Sequence, residues 1–548
     1  MNMKRKALSI LAVLALCLTM LPMAAFAAPI SWPAEGESVI VDGKEYTYLG
    51  DVTKTGLEVG EWEVNEYGPA GIAKAGDGYV SYTVEDGIAY ITVNNATIRA
   101  EGEDTNGIQV SDYDVSIHGV GTNVIEAADA AIDVTGCLTM TGEFERIAGL
   151  NTGIRCLQVW GDDLEGNTVK YGGDAMINAN VGEIIGTENV GIDVQCSLIL
   201  NGKLGDVSGG IGIYVGSGLT SDSVQEGALI INGSIDSVVG FVDTAIHGRG
   251  DVVIGKDAKI GSIVADTTAI SVDCIADEEG APLDDASLTI LGTVGGISAS
   301  MIQEDTEDWP RFGLLVLGGD VVIGEGATVE YIYGDDYGAW VEGGKVIVKG
   351  TVTDGIVGGE QDIYEVEWPS RWAHVEVMDA ILFDLVPADL QCKYTQAATR
   401  AEYCALATCL YEAVTGGPIE LTEEDVLPFT DVTEDDNIAK MYKVGVVNGV
   451  GENRFAPNNQ LTREQAATML SRLAEALGQP LPAAQPAFAD NDKIFDYAYA
   501  AVGQVQAAGI MEGKENNLFD PKGSYTREQS ILTMDRLFNM VFWDNAEE

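Results

Sequence analysis

The chain has 548 residues, 46% of them hydrophobic, and a formal net charge of −56. Length and apolar content exclude a disordered polyelectrolyte and allow two or more cores. So acidic a surface repels nucleic acid and anionic membrane, which makes both poor partners. Its carboxylates could collect Ca2+ weakly, and no other cofactor is implied.

At the start of the chain Lys4, Arg5 and Lys6 precede an apolar run from Ala7 to Leu21, and Ala25-Phe26-Ala27 follows. These are the three parts of a secretory signal, so residues 1–27 are expected to be cleaved away. Leu16 before Cys17 is too large for lipoprotein processing. No later stretch approaches the roughly 18 apolar residues of a spanning helix, so no transmembrane segment is expected. Cys137, Cys156, Cys196, Cys274, Cys392, Cys404 and Cys409 are odd in number, irregularly spaced and free of any CxxC pair. They read as small core residues rather than as a disulfide framework or zinc site.

The middle of the chain repeats. A small residue, an aliphatic, any residue and usually Val recur in NGIQV (ending at Val110), AAIDV (Val134), VGIDV (Val194), IGIYV (Val215) and TAISV (Val272). Looser copies are TGIRC at Cys156, TAIHG at Gly248 and YGAWV at Val341. A second alternating pattern follows each copy, as in DVSIHG, SLILNG, ALIING and DVVIGK. Alternation with period two makes strands, and Gly, Asn and Asp make the turns between them. Two or three strands per unit of about 20–25 residues predict a right-handed parallel β-solenoid over residues 81–360, whose rungs stack to share one core. Residues 28–80, with Trp62 and the pair Tyr46 and Tyr48, are expected to cap the open end. Gly161–Tyr171, Gly216–Gln225 and Ala276–Ala286 read as insertions from one corner of the stack.

If Ile and Val of each motif point inward, the residue between them points out. That predicts one outward column: Gln109, Asp133, Arg155, Asp193, Tyr214, His247, Ser271, Leu315 and Trp340. Asp133 and Asp193 would stand two rung spacings apart, about 10 Å, with Arg155 between them holding both ionised. An ionised pair suits a charge ladder better than a glycosidase acid. Tyr214, His247 and Trp340 offer planar surfaces to an extracellular glycan, and a protein ligand is the other option. The sequence holds no nucleophile elbow, P-loop or HExxH, and His118, His247 and His374 are scattered. No catalytic residue and no metal site is assigned.

Near Gln361 glycine thins out and apolar spacing lengthens to three and four, which marks a domain boundary around Trp368-Pro369-Ser370. Beyond it one plan recurs: Phe-x-Asp (Asp431, Asp490), a helix, GVVNG or GIMEG, Phe-x-Pro, and Thr-Arg-Glu opening a second helix. The copies fall at residues 370–416, 426–478 and 486–542. The first departs most. It keeps Trp372 and TRAEYCALATCLYEAV, but Asp384 and Ala388 stand where the others have Gly445 and Gly449, or Gly509 and Gly513. Thr399, Thr462 and Thr526 are each followed three positions later by Glu402, Gln465 or Gln529, so each Thr is a predicted N-cap within a capping box. Arg400, Arg463 and Arg527 then open the helices, where a cation opposes the macrodipole. Two explanations fit. Either each Arg joins free helix N–H groups in an anion site, or each pairs with a carboxylate such as Asp431 or Asp490 and ties repeats together.

These repeats resemble the S-layer homology family. The resemblance implies an all-α, three-lobed bundle that binds secondary cell-wall polysaccharide, pyruvylated or otherwise anionic. It implies a polysaccharide site around Arg400, Arg463, Arg527, Thr399, Thr462, Thr526, Asp431, Asp490, Gly449, Gly513 and Trp372. The expectation is a secreted protein of the bacterial cell wall or S-layer that displays a structural, adhesive or glycan-binding solenoid. The alternative is a wall-anchored polysaccharide lyase or hydrolase.

Overall fold

Period-two alternation does produce strands, and their pairing shows how they are arranged. A computed structural model describes residues 30–41, 43–60, 64, 66–162, 168–216, 227–274, 285–300, 310–433 and 435–544. The expected leader, Trp62 and most of the three insertions lie outside the described residues.

Each repeat supplies three short strands, and each pairs in parallel with its counterpart in the next repeat. One column of paired aliphatics runs from Ile108 through Ile132, Ile154, Ile192 and Ile213 to Leu314 and Ala339. A second runs from Val115 through Leu138, Leu198 and Leu229 to Val346. A third runs from Ile98 through Ile125, Ile184 and Val238 to Ile332. From Ile98 to Val341 these columns form one continuous buried core. No single repeat could bury its aliphatics alone, and stacking them does. At one turn Asn201 donates to Asn178 at 2.8 Å and Asn232 donates to Asn201 at 2.9 Å, a ladder of stacked amides.

Ile154 pairs directly with Ile192, Ile213 with Ile246, and Ile270 with Leu314. The long sequence gaps therefore leave the register intact. Those three fall at the connection between the first and second strand columns. Another long gap, at residues 300–310, falls between the strands Thr293–Ala299 and Phe312–Leu317.

At the start Ala70–Ala75, Gly78–Glu85 and Ile88–Asn94 form an antiparallel meander, and Ile88–Asn94 pairs in parallel with Asp114–Val120. An antiparallel sheet thus closes one end of a parallel stack, covering backbone groups that would otherwise template aggregation. Strand Gly78–Glu85 spans the expected cap boundary. Leu57–Val59 already pairs in parallel with Ile108–Val110, so the stack reaches back into the expected cap.

After Val366 the backbone turns helical: α1 (His374–Leu382), α2 (Arg400–Thr415), α3 (Asp436–Lys443), α4 (Arg463–Ala476), α5 (Asp496–Ala507) and α6 (Arg527–Asp544). Their apolar faces form a second core, separate from the strand core. The segment between the two is anchored. The Ser370 N–H and hydroxyl donate to Glu528 at 2.9 and 3.1 Å, and the Trp368 ring meets His374 edge-on at 4.9 Å. The described cysteines are all free thiols, with Cys156, Cys196 and Cys404 buried.

Candidate functional site

Three helix starts build the helical region into a ring. Helices α2, α4 and α6 begin at Arg400, Arg463 and Arg527, each after its Thr. Thr399 makes a complete capping box with Glu402. Thr526 does the same with Gln529, at 3.2 and 3.3 Å. The Thr462 N–H donates to the Gln465 side chain at 3.3 Å.

The first two N–H groups of each helix are not open to an anion. Arg400 and Ala401 donate to Asn459 and Pro457 of the second repeat, both at 3.0 Å. Arg463 and Glu464 donate to Gly523 and Pro521 of the third, at 3.2 and 3.1 Å. Arg527 and Glu528 donate to Gln396 and Tyr394 of the first, at 2.8 and 2.9 Å. The chain therefore closes on itself, first repeat to second, second to third and third to first. The reading in which an anion docks on free helix N–H groups is corrected by these bonds, because backbone carbonyls already occupy them.

The arginine side chains follow the same circuit. Arg400 donates from Nε to the Phe455 carbonyl at 2.9 Å and from Nη2 to the Asn448 carbonyl at 3.0 Å. Arg463 donates to the Phe519 and Glu512 carbonyls, both at 2.8 Å. Each guanidinium lies over the ring of that same Phe, at 4.4 and 5.1 Å. Both residues are only 6% exposed, and burial lowers the pKa of both. Among the described residues no carboxylate is ion-paired with either. Arg527 differs: besides the Cys392 carbonyl it meets Glu402 at 2.7 Å. Two of the three junctions thus hold a buried cation with no carboxylate at ion-pair distance, although Asp431 acts on Arg400, and Asp490 and Asp520 on Arg463, from farther off; at the third the arginine is ion-paired.

Asp431 and Asp490 do not pair with these arginines, which corrects the second explanation in its detail. Asp431 accepts from the Phe455 and Ala456 N–H groups at 2.8 and 2.9 Å. Asp490 accepts from Phe519 and Asp520 at 2.8 and 2.9 Å. Each Asp fixes the loop whose carbonyl then receives the arginine, so it acts one step behind it. Gly449 is small because the Phe429 ring lies against it: an added Cβ would come within 2.7 Å of Phe429. At Gly513 the corresponding approach to Phe488 is 3.1 Å. Gly445 and Gly509 adopt φ of +85° and +70°, and Asp384 holds the same left-handed conformation at +56°. The first repeat keeps the turn and tolerates a residue that strains it mildly.

Trp372 is 58% exposed, and Tyr497 of the third repeat is 55% exposed. They occupy matching places, since Ser370 and Phe495, each two residues earlier, donate to Glu528 and Glu464. Spacing did not single out Glu464, which is 1% exposed and accepts from Tyr497 at 3.0 Å and from Lys522. Lys522 also covers the Phe495 ring at 3.1 Å. Motif position gives Glu464 no distinction from a surface glutamate; only the ring geometry buries it.

In the strand region the expected outward residues share one register column. Asp133 pairs with Gln109 and Arg155, Arg155 with Asp193, Asp193 with Tyr214, Tyr214 with His247, and so on through Ser271 and Leu315 to Trp340. The charge pattern differs from expectation. Arg155 turns away from Asp193 and binds Asp133 at 2.8 Å and Asp129 at 2.9 Å. Burial pushes Asp193 up to about 6, against the pull of Arg155. Of the two expected carboxylates, Arg155 therefore ion-pairs with Asp133 alone and acts on Asp193 only from a distance. Further along, Tyr214 lies 5.0 Å from His247, which meets Asp273 at 3.1 Å.

Repeated helix pairs thus clasp one another through buried arginines, beside a separate strand domain. The S-layer homology domain matches residues 428–467 and 488–529, so the C-terminal region carries that domain. Residues of this region are 33% identical over 147 residues to an endoglucanase of Bacillus sp. (strain KSM-635). They are 31% identical over 149 residues to an amylopullulanase of Thermoanaerobacterium thermosulfurigenes, and 30% over 136 residues to the S-layer protein sap of Bacillus anthracis. These matches cover 26%, 26% and 24% of this chain but 15%, 8% and 16% of the relatives, far short of two thirds of their length. The enzymes match in the S-layer homology region alone. The matches place the protein among secreted proteins attached to the cell wall or S-layer. Among the described residues no helix is long and apolar enough to cross a membrane.

Proposed function

We propose that this chain is held non-covalently on the cell wall by an anionic secondary polysaccharide, pyruvylated or otherwise acidic, bound at the junctions between its C-terminal repeats. Arg400 and Arg463 carry the reading. Each is a buried guanidinium with fixed carbonyl partners and no carboxylate at ion-pair distance, so a sugar carboxylate would supply the direct ion pair that the chain does not. Trp372 and Tyr497 give the same region exposed rings for the sugar's apolar face. Residues 1–27 act as the export signal, and the stacked strands, a right-handed β-solenoid, are displayed as a structural, adhesive or glycan-binding module.

The test is cosedimentation of the secreted full chain with native walls and with walls stripped of their polysaccharide. Changing Arg400 and Arg463 together to Lys keeps a cation but loses the forked geometry. Binding should weaken by about tenfold or more, in line with a charge-assisted bond worth about 1.5–3 kcal/mol. Undiminished binding by the double variant, or equal binding to stripped walls, overturns the proposal.

One observation keeps the enzyme reading alive. Asp193, raised to about 6, stands two repeats from Asp133, with Arg155 between them and ion-paired to Asp133. Two carboxylates in unequal environments are what acid–base hydrolysis of a glycoside requires. Release of reducing ends from a polysaccharide, abolished by Asp193→Asn, would establish this reading; an Asp193→Asn variant with full activity would end it.

A further inference from the structure

The last repeats of the strand region carry a feature that wall anchoring does not use. Four rings stand on neighbouring outward columns: Phe312 pairs with Tyr337, and Trp340 pairs with Tyr364 in the next repeat. Phe312 and Tyr337 stack at 5.5 Å with planes 15° apart, Trp340 meets Tyr337 edge-on at 4.8 Å, and Tyr364 lies 4.2 Å from Trp340. All four are half-buried, so each ring still presents surface to solvent. Inward positions of these same strands are filled by Leu314, Val316, Ala339 and Val341, fully buried, so the rings add nothing to the core.

Polar groups border the rings in a particular way. Trp340 Nε1 donates to Glu342 at 2.9 Å and the Tyr337 hydroxyl donates to Glu360 at 2.8 Å. Asp336 lies close enough to Tyr337 to raise the pKa of its phenol, as Glu360 does more strongly. Trp340 and Tyr337 are thereby fixed in orientation, and each carboxylate keeps lone pairs free to accept further hydroxyl protons. Apolar plates edged by fixed acceptors match the two faces of a sugar, its C–H surface and its hydroxyl rim. The carboxylates also select by charge. They repel an acidic glycan, the kind assigned above to the helical repeats, and leave a neutral one.

We propose that Phe312, Tyr337, Trp340 and Tyr364 form a binding platform for a neutral polysaccharide lying along the stack. Successive repeats advance by about 4.8 Å, so the rings of three repeats span about 10 Å, room for a short run of sugar units. This deepens the display reading of the strand region and is independent of how the helical repeats hold the wall. The chain would then join two glycans of opposite character, an acidic one at its helical end and a neutral one on its strands.

The experiment is affinity electrophoresis of the full secreted chain in native gels containing hydroxyethylcellulose, galactomannan or amylose. At least one of these should retard the protein. Trp340→Ala with Tyr364→Ala should weaken that retardation by about tenfold, since two ring contacts of about 0.5–1.5 kcal/mol each are removed. Trp340→Phe, which keeps a ring, should retain most of it. The double variant should still cosediment with native walls, a separate readout that anchoring alone controls. No retardation in any of the three gels overturns the proposal. So does equal retardation of the double variant, or a platform-dependent retardation in polygalacturonate. If the double variant misfolds, quenching of tryptophan fluorescence by soluble cello-, manno- and malto-oligosaccharides in wild type and in Trp340→Phe decides the matter. A Trp340-dependent response supports the platform, and none in any series removes it.

Discussion

The strand region and the helical region both repeat, but they repeat under different symmetries. In the strand stack each repeat meets only the one before and the one after, through parallel ladders and a shared aliphatic core. Its first end needs a cover, which the antiparallel meander of residues 70–94 provides. In the helical region three repeats pass an arginine and two N–H groups to the next, and the third passes them back to the first. A ring has no ends. The stack spreads stability over many equivalent contacts, whereas the ring concentrates it in a few particular ones.

Paired substitutions test that contrast most directly. Ile263→Ala removes a fully buried side chain from the stack and should cost about 2–5 kcal/mol. Hydrogen exchange should quicken around the adjacent repeats and leave distant ones protected, as expected of a one-dimensional array. Arg463→Ala strands the buried Phe519 carbonyl and frees the part-buried Glu512 carbonyl, and should cost about 1–3 kcal/mol. Here protection should fall together in α2, α4 and α6, because the junction belongs to a closed circuit. Loss confined to α4 and α5 would mean that the ring is not a cooperative unit.

A smaller effect separates the two best-matched repeats. Gly449→Ala drives a Cβ to within 2.7 Å of the Phe429 ring and 2.8 Å of the Arg454 carbonyl, and should cost about 1–3 kcal/mol. Gly513→Ala meets Phe488 at 3.1 Å and should cost less. Thermal melts of the two variants should fall in that order; the reverse order would show that the Phe–Gly contact is looser in the second repeat.

The ring also carries a pH dependence. Asp535 on α6 is 2% exposed, and burial with Asp379 and Glu376 nearby pushes its carboxyl up to about 7. A carboxyl with a raised folded-state pKa binds its proton more tightly when folded. Its contribution therefore favours folding at acidic pH and is lost as pH rises from about 4, the unfolded value, to about 7. The melting temperature of the helical region should decline across that window, and Asp535→Asn should flatten the decline. An unchanged slope would assign the dependence to other groups.

Much of this was legible in sequence because the features are periodic. Alternating aliphatics fixed both the inward column and the outward one down to Trp340, since a strand leaves no choice about which residues share a face. The three helix starts were visible because a capping box is local. What escaped was everything set by closure. Asp431 and Asp490 sit in the right motif, yet the backbone N–H groups they accept from lie in a loop that folds back from beyond the next helix. Arg155 chose Asp129, an off-column residue near the strand turn, over Asp193. No spacing rule ranks those options, because they depend on where side chains end rather than where they start.

The smallest expected effect tests the asymmetry of the ring itself. Glu402 is the third residue of α2, where the other two repeats have Gln465 and Gln529. It serves twice, accepting the Thr399 N–H at 2.8 Å and the Arg527 guanidinium at 2.7 Å. Glu402→Gln keeps the capping box, as the other repeats demonstrate, and removes one negative charge. Stability should fall by about 1 kcal/mol, the difference between a charge-assisted and a neutral hydrogen bond. Arg527 would then resemble Arg400 and Arg463, a buried cation with no carboxylate at ion-pair distance. If such cations recruit an acidic polysaccharide, the variant should bind native walls more tightly while folding less stably. The gain should diminish in high salt, where the attraction between an acidic polymer and the protein is screened. Weaker wall binding, or a gain undiminished in about 1 M salt, would show that Glu402 does not close the third junction to anions.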